Sequence, residues 1–150
     1  MFSLVVSVVL LAGSGGSTLH KSDSAALQGT WKGREITGDS EGPCYLIISG
    51  KTLEFRGANT NEWYKGTFSL REDTNPRPVV VAIAECSIPQ YITKTSYGIY
   101  QIEGGTLTIA ANEPGSPEVP PSFDAPGARR SVPLTRPATK PWSQHRLLRC

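Results

Sequence analysis

The chain has 150 residues, a net charge of +2, 38% hydrophobic residues, 15 Gly and 12 Pro, which fits one turn-rich domain with one modest core and excludes a two-domain enzyme. Its valine, isoleucine, threonine and tyrosine favour strands over helices, so an all-β protein is expected. Six of the 15 basic residues (Arg129, Arg130, Arg136, Lys140, Arg146 and Arg149) follow residue 128 with no acid among them, leaving the preceding part mildly acidic. A basic end can hold nucleic acid or an anionic surface. Here the cations lack the aromatic interleaving that stacking on bases needs, so a solvated tail over 137–150 is expected and no nucleic-acid partner.

Residues Phe2 to Leu11 form an apolar run of ten followed by Ala12-Gly13-Ser14-Gly15-Gly16. The run is too short to span a bilayer and suits the hydrophobic region and small-residue cleavage zone of a secretory leader. Residues 1–16 are therefore read as a leader, with an extracytoplasmic location (periplasmic, secreted or envelope-associated) and no transmembrane segment. No Lys or Arg precedes the run, which leaves only the α-amino group as its positive end. Leu11-Ala12-Gly13-Ser14 has the form of a lipoprotein processing site with serine in place of the cysteine, and a serine cannot take the thioether lipid. Residues 17–26 read as a polar linker.

From there strand-like segments follow at regular spacing: 28–37, 44–49, 51–56, 62–70, 78–85, 97–103, 106–111 and 129–135. Eight strands in sequence order, without a helix-length periodic segment, predict an antiparallel up-and-down meander, which removes its edges by closing into a barrel. Ser49-Gly50 and Gly104-Gly105 are two-residue hairpin loops, glycine taking the positive φ such turns demand. They set Ile102 opposite Leu107 and Tyr100 opposite Ile109, and place Cys44, Leu46 and Ile48 on the face of Leu53 and Phe55. Period two over 62–70 turns Tyr64, Gly66, Phe68 and Leu70 inward. Val79 to Ala84 is apolar on both faces, and its register stays open.

The connections sort by end. With the first strand running up, the lower end takes the two-residue hairpin loops, and the upper end takes about ten residues from Cys86 to Ser96 and about sixteen from Asn112 to Gly127. The second of these carries five prolines. Two readings are open for it: a lid over the upper end, or a stiff extended strap with no ligand role.

Gly29-Thr30-Trp31 is similar to the G-x-W signature that opens the first strand of lipocalins. Together with Tyr64-Lys65-Gly66-Thr67-Phe68 and the block Gly98 to Leu107, it resembles an uncharacterised lipocalin-like family that planctomycete bacteria carry in many paralogues. The resemblance covers about residues 27–136. It implies a calycin-type barrel and an exported protein, with structural roles for Gly29 and Trp31 at the tight end and for an arginine, Arg136, packed over the tryptophan. It brings no established reaction. Pro133 interrupts the last strand, where it removes a ladder donor and favours an edge or a bulge, so closure between first and last strands is the pairing most at risk.

Both histidines, His20 and His145, fall outside the barrel, so no Ser-His-Asp, Cys-His or His-rich metal constellation can be built inside it. No catalytic residues, cofactor or metal are assigned. Glu35 shares parity with Trp31 and would point inward in an unbulged strand; Ile36 competes for the interior, so a bulge that turns Glu35 to solvent is expected. Glu41, Glu62, Glu85, Glu113 and Glu118 gather near the upper end. Without the alternating Asp/Asn loop of a calcium site they read as solvated charges.

The aromatic set at the upper end or interior supplies the candidate ligand residues Tyr64, Phe68, Tyr91, Tyr100 and Phe123, since aromatics line pockets in barrel mouths. The same residues can simply plug an eight-stranded barrel. Cys44 and Cys86, at the start of the second and end of the fifth strand, are a possible disulfide across the mouth if the compartment oxidises them; two separate thiols are the other reading. The leading expectation is a binding or interaction module without catalytic chemistry, taking a small hydrophobic molecule or a protein partner. The alternative is a structural, envelope-associated domain with a filled core.

Overall fold

The second strand shows why the chain folds as it does: from Gly42 to Ile48 every even residue is buried and every odd one exposed, the two-residue period of a sheet with one face on a core. A computed structural model describes residues 22–137 with the exception of Thr60. Its strands are β1 (Gly29–Thr37), β2 (Ser40–Ser49), β3 (Thr52–Arg56), β4 (Trp63–Leu70), β5 (Arg77–Cys86), β6 (Thr95–Glu103), β7 (Thr106–Ala111) and β8 (Arg129–Thr135), preceded by a short helix α1 (Asp23–Leu27). Each strand pairs antiparallel with its sequence neighbour and β8 returns to β1, closing an eight-stranded up-and-down barrel. The meander expected from the turn spacing is the observed architecture. The expected leader and all but the start of the basic tail lie outside the described residues, as does the first half of the linker.

Three local expectations change. The end of the expected linker, Asp23–Leu27, is helical, with the Ser22 hydroxyl accepting from Ala25 N at 3.3 Å as N-cap. β2 begins at Ser40, so its link to β1 is the two-residue turn Gly38-Asp39. Gly42 and Pro43 look like turn residues but lie in this strand. At their level β2 pairs with β1 only, since pairing with β3 starts at Tyr45, and a proline is tolerated where one ladder is absent. The barrel closes despite Pro133. Between the pairs Lys32↔Thr135 and Arg34↔Val132, and again between Leu107↔Leu134 and Ile109↔Ser131, β8 carries one residue more than its neighbour. That is a bulge at the position where the missing N–H matters least.

Connections 50–51, 71–76 and 104–105 lie at the lower end, where β1 starts. Connections 38–39, 57–62, 87–94 and 112–128 lie at the upper end. The lower end is plugged by α1. Leu27 is buried there, and the buried Trp31 indole Nε1 donates to Leu27 O at 2.8 Å. Arg136 at the end of β8 lies 4.8 Å over the Trp31 ring and its Nη2 donates to Ala26 O at 2.6 Å, so one guanidinium both stacks and ties the helix down. Gln28 pins the β2–β3 turn through Gly50 N (2.8 Å) and Gly50 O (3.0 Å). Asp23 completes the plug: its carboxylate pairs with Arg77 and accepts from Tyr100 Oη at 2.7 Å. The lower interior is filled by Leu27, Trp31, Leu46, Ile48, Phe68, Tyr100, Leu107 and Leu134.

Trp31→Ala should lower unfolding free energy by about 3–5 kcal/mol in urea titration, the cost of emptying a buried aromatic site, with the indole's hydrogen bond to α1 lost as well. Tyr100 gives a pH signature. Burial first, then the hydrogen bond to Asp23 and its charge, push its phenol above its ordinary value. The fold thus favours the protonated form. Its contribution is complete below the pKa of a free tyrosine, about 10, and drains away as pH rises from there through the folded value. Tyr100→Phe should cost about 1–2 kcal/mol at neutral pH and flatten the alkaline decline seen in parallel denaturation curves.

Candidate functional site

Above the packed lower layer the interior is not filled. A cavity of about 110 Å³ lies in the upper half, lined by Glu35, Leu46, Leu53, Phe55, Tyr64, Val81, Ile83, Ser96, Ile109, Ala111, Asn112 and Pro114. Its walls are inward positions of β1 to β7, and Pro114 reaches over it from the β7–β8 connection. That connection is seated by Gly115 N donating to Thr95 O at 2.8 Å and Asn112 N to Tyr97 O at 2.9 Å. Within it Ser96 Oγ donates to Asn112 O at 2.8 Å and Asn112 Nδ2 to Glu118 O at 2.9 Å. The first stretch of the proline-rich segment is thus a fixed roof edge.

One wall is aromatic. The Tyr64 ring lies 6.3 Å from Phe55 and 6.3 Å from Tyr91, tilted against both. The phenols point at carboxylates, Tyr64 donating to Glu62 and Tyr91 to Glu113. Beneath them Ile83 and Cys86 complete a second cluster with Tyr64, and Cys86 Sγ donates to Ile88 O at 2.9 Å.

Beside Phe55 lies the cavity's charge. Glu35 is 4% exposed, and its Oε2 accepts from Ala58 N at 2.8 Å. The solvent-turning bulge expected at this residue is absent: β1 pairs with β2 without interruption from Gly29↔Ile48 to Thr37↔Ser40, and the extra residue that the barrel needs sits on β8 instead. Glu35 therefore keeps the inward parity of Trp31, and Ile36 stays half-buried on the other face. Two glycines admit this arrangement. A Cβ on Gly57 would lie 2.8 Å from Glu35 Oε2, and one on Gly42, the β2 partner of Glu35, would lie 2.6 Å from Ala58 Cβ. The β3–β4 connection folds onto the carboxylate because neither position has a side chain.

Of the five candidate ligand residues only Tyr64 lines the cavity. Tyr91 backs it from behind. Phe68 and Tyr100 belong to the lower core, because the barrel is filled from the bottom up to their level, and Phe123 is half-buried in the β7–β8 connection away from the lining. The disulfide across the mouth is not made: Cys44 and Cys86 are buried thiols. With β2 starting at Ser40, Cys44 sits opposite Gly33 in mid-strand and in the lower cluster, whereas Cys86 sits beside Tyr64 near the top. Of the upper-end acids, Glu41 pairs with Arg34, and among the described residues no group of three or more metal-ligating side chains converges. Missed by sequence reasoning were Ser96, Asn112 and Pro114, whose placement depends on where the β7–β8 connection doubles back. For Glu35 the usable signal was its parity.

Comparisons with family models, with curated proteins and with solved structures return no match. The class is therefore defined by the structure: a small closed antiparallel β-barrel, sealed below and hollow above. Among the described residues no helix is long and apolar enough to cross a membrane.

Thr93 closes the β5–β6 connection over the cavity wall, its N donating to Ile83 O at 3.0 Å while Ile83 N donates to Lys94 O at 2.9 Å. It does so at φ 70°, a left-handed conformation that a β-branched residue adopts only at a cost. Thr93→Gly should raise stability by about 1 kcal/mol, since glycine takes this conformation without strain, read as a higher midpoint in urea with unchanged slope.

Proposed function

We propose that this protein is a small exported, lipocalin-like binding module that takes a small apolar molecule, or the apolar end of a larger one, into the upper cavity, without catalytic chemistry. The observation that carries the reading is the cavity itself: about 110 Å³ with nine apolar or aromatic residues in its lining, in a barrel whose lower half is packed solid. Native interiors rarely leave such space unfilled, and an apolar void of about 150 Å³ is known to take up benzene, so the guest here is smaller than that ring or enters by one end. The mixed wall, mostly apolar with Ser96, Asn112 and Glu35 as polar points, is the composition of small-molecule sites. Exported location and membership of the planctomycete family rest on the leader-like run and on the three sequence blocks.

Cyclopentane or 1-pentanol titrated into isotope-labelled protein should shift the backbone amides of Leu46, Val81, Ile83 and Ala111, with Kd in the millimolar range, about 4 kcal/mol of binding, while Leu107 and Leu134 stay in place. Val81→Phe, which adds ring volume to the cavity, should abolish the response. A titration in which neither compound shifts these signals at its solubility limit rejects the reading.

A further inference from the structure

The cavity has an apolar floor and a polar roof edge. Leu46 belongs to the lower cluster as well as to the lining, whereas Ser96 is the second residue of β6, which starts at the upper end, and Asn112 follows β7 at that same end. Val81 stands directly across the β5–β6 ladder from Ser96, so apolar wall begins immediately beside the serine. Glu35, the third polar residue of the lining, holds the β3–β4 connection at Ala58 N.

What the roof edge offers a guest follows from where its protons go. The lining carries two hydroxyls, Tyr64 and Ser96, each with a single proton. Tyr64 gives its proton to Glu62, and Ser96, a residue 8% exposed, gives the one on Oγ to Asn112 O at 2.8 Å. A carbonyl oxygen only accepts, so the serine proton is committed and Ser96 Oγ meets a guest as an acceptor. Asn112 Nδ2 donates to Glu118 O at 2.9 Å, which by the same logic fixes which end of its amide is nitrogen and which is oxygen. Among the described residues no donor meets Ser96 Oγ or Asn112 Oδ1, and no acceptor meets the second amide hydrogen of Asn112. A guest that can only accept leaves both oxygens unanswered. One that donates and accepts through the same atom answers the whole edge.

We propose that the cavity takes short primary alcohols, the alkyl chain lying down toward Val81 and Leu46 and the terminal hydroxyl at the roof edge, donating to Ser96 Oγ. This rests on the cavity being a binding site and adds the class of ligand and its orientation. The size of the cavity suits a chain of about four carbons, by comparison with the benzene-sized void above.

The test is a titration of the isotope-labelled full chain with two isomers built from the same atoms, 1-butanol and methyl propyl ether, and with cyclopentane as a probe of the cavity alone, read by the amide shifts of Val81, Ser96 and Ala111. Butanol should bind about fivefold more tightly than the ether, the worth of one net hydrogen bond. Nuclear Overhauser contacts should place its methyl end by Leu46 and its hydroxyl-bearing carbon by Ser96. In Ser96→Ala the isomers should come within about twofold of each other while cyclopentane still binds. Ether binding as well as butanol, neither isomer binding where cyclopentane does, a butanol preference that survives Ser96→Ala, or butanol lying with its hydroxyl toward Leu46 each overturns the alcohol selectivity and leaves the apolar site standing. If none of the three compounds binds, both the selectivity and the site fall. Should Ser96→Ala not fold, the ratio of the isomers and the orientation of butanol on the parent protein decide the matter alone.

Discussion

A buried indole N–H has to find an acceptor, and in this barrel that requirement organises one whole end. Trp31 finds it in Leu27 O, the last residue of α1, so the tryptophan can be buried only if the helix crosses beneath it. The helix in turn holds its place because Arg136, just past β8, and Arg77 and Tyr100, on β5 and β6, reach it: Arg136 bonds Ala26 O over the indole face, and Arg77 and Tyr100 meet the Asp23 carboxylate. First strand, last strand and the segment before the barrel are thereby locked by one shared set of contacts. Gly29, at φ 112°, is the hinge that lets the chain pass from helix to strand in this space, a conformation open chiefly to glycine.

Sealing the lower end determines where space is left. Eight strands enclose an interior that side chains can just fill, and large residues are concentrated at the inward positions near the plug: Trp31, Leu46, Phe68, Tyr100, Leu107 and Leu134. Higher up, several inward positions carry small residues. Some of these admit neighbouring chain, as Gly57 admits the Glu35 carboxylate and Gly42 admits Ala58. Others, Ser96 and Ala111, leave the walls apart. The cavity is thus a consequence of a size gradient along the barrel axis.

That gradient explains which parts of the structure were legible in the sequence. The barrel could be read from two-residue turns with glycine at the positive-φ positions, because local turn chemistry sets strand pairing directly; the pairs Ile102↔Leu107 and Tyr100↔Ile109 follow from Gly104-Gly105 alone. Period two likewise put Tyr64 and Phe68 on the inner face, where both are buried. Parity says nothing about height, however, and height separates Tyr64 in the cavity wall from Phe68 and Tyr100 in the plug. Cys44 and Cys86 were misplaced for the same reason: a strand that starts four residues earlier moves a cysteine from rim to mid-barrel without changing its face. The helix at Asp23–Leu27 is too short to show periodicity, and its cause, the acceptor for Trp31, lies in tertiary contact.

The two ends meet in the cavity lining. Leu46 belongs to the lower cluster and also lines the cavity, and like most cavity residues it contributes bulk that another apolar residue of similar size could replace. Glu35 belongs to both accounts. It is rooted in β1, the strand that carries Trp31, and its Oε2 holds the β3–β4 connection down at Ala58. The side chain thus couples the strand that the lower end holds to the loop that borders the cavity, so the upper wall takes its position from the plugged end through a single residue.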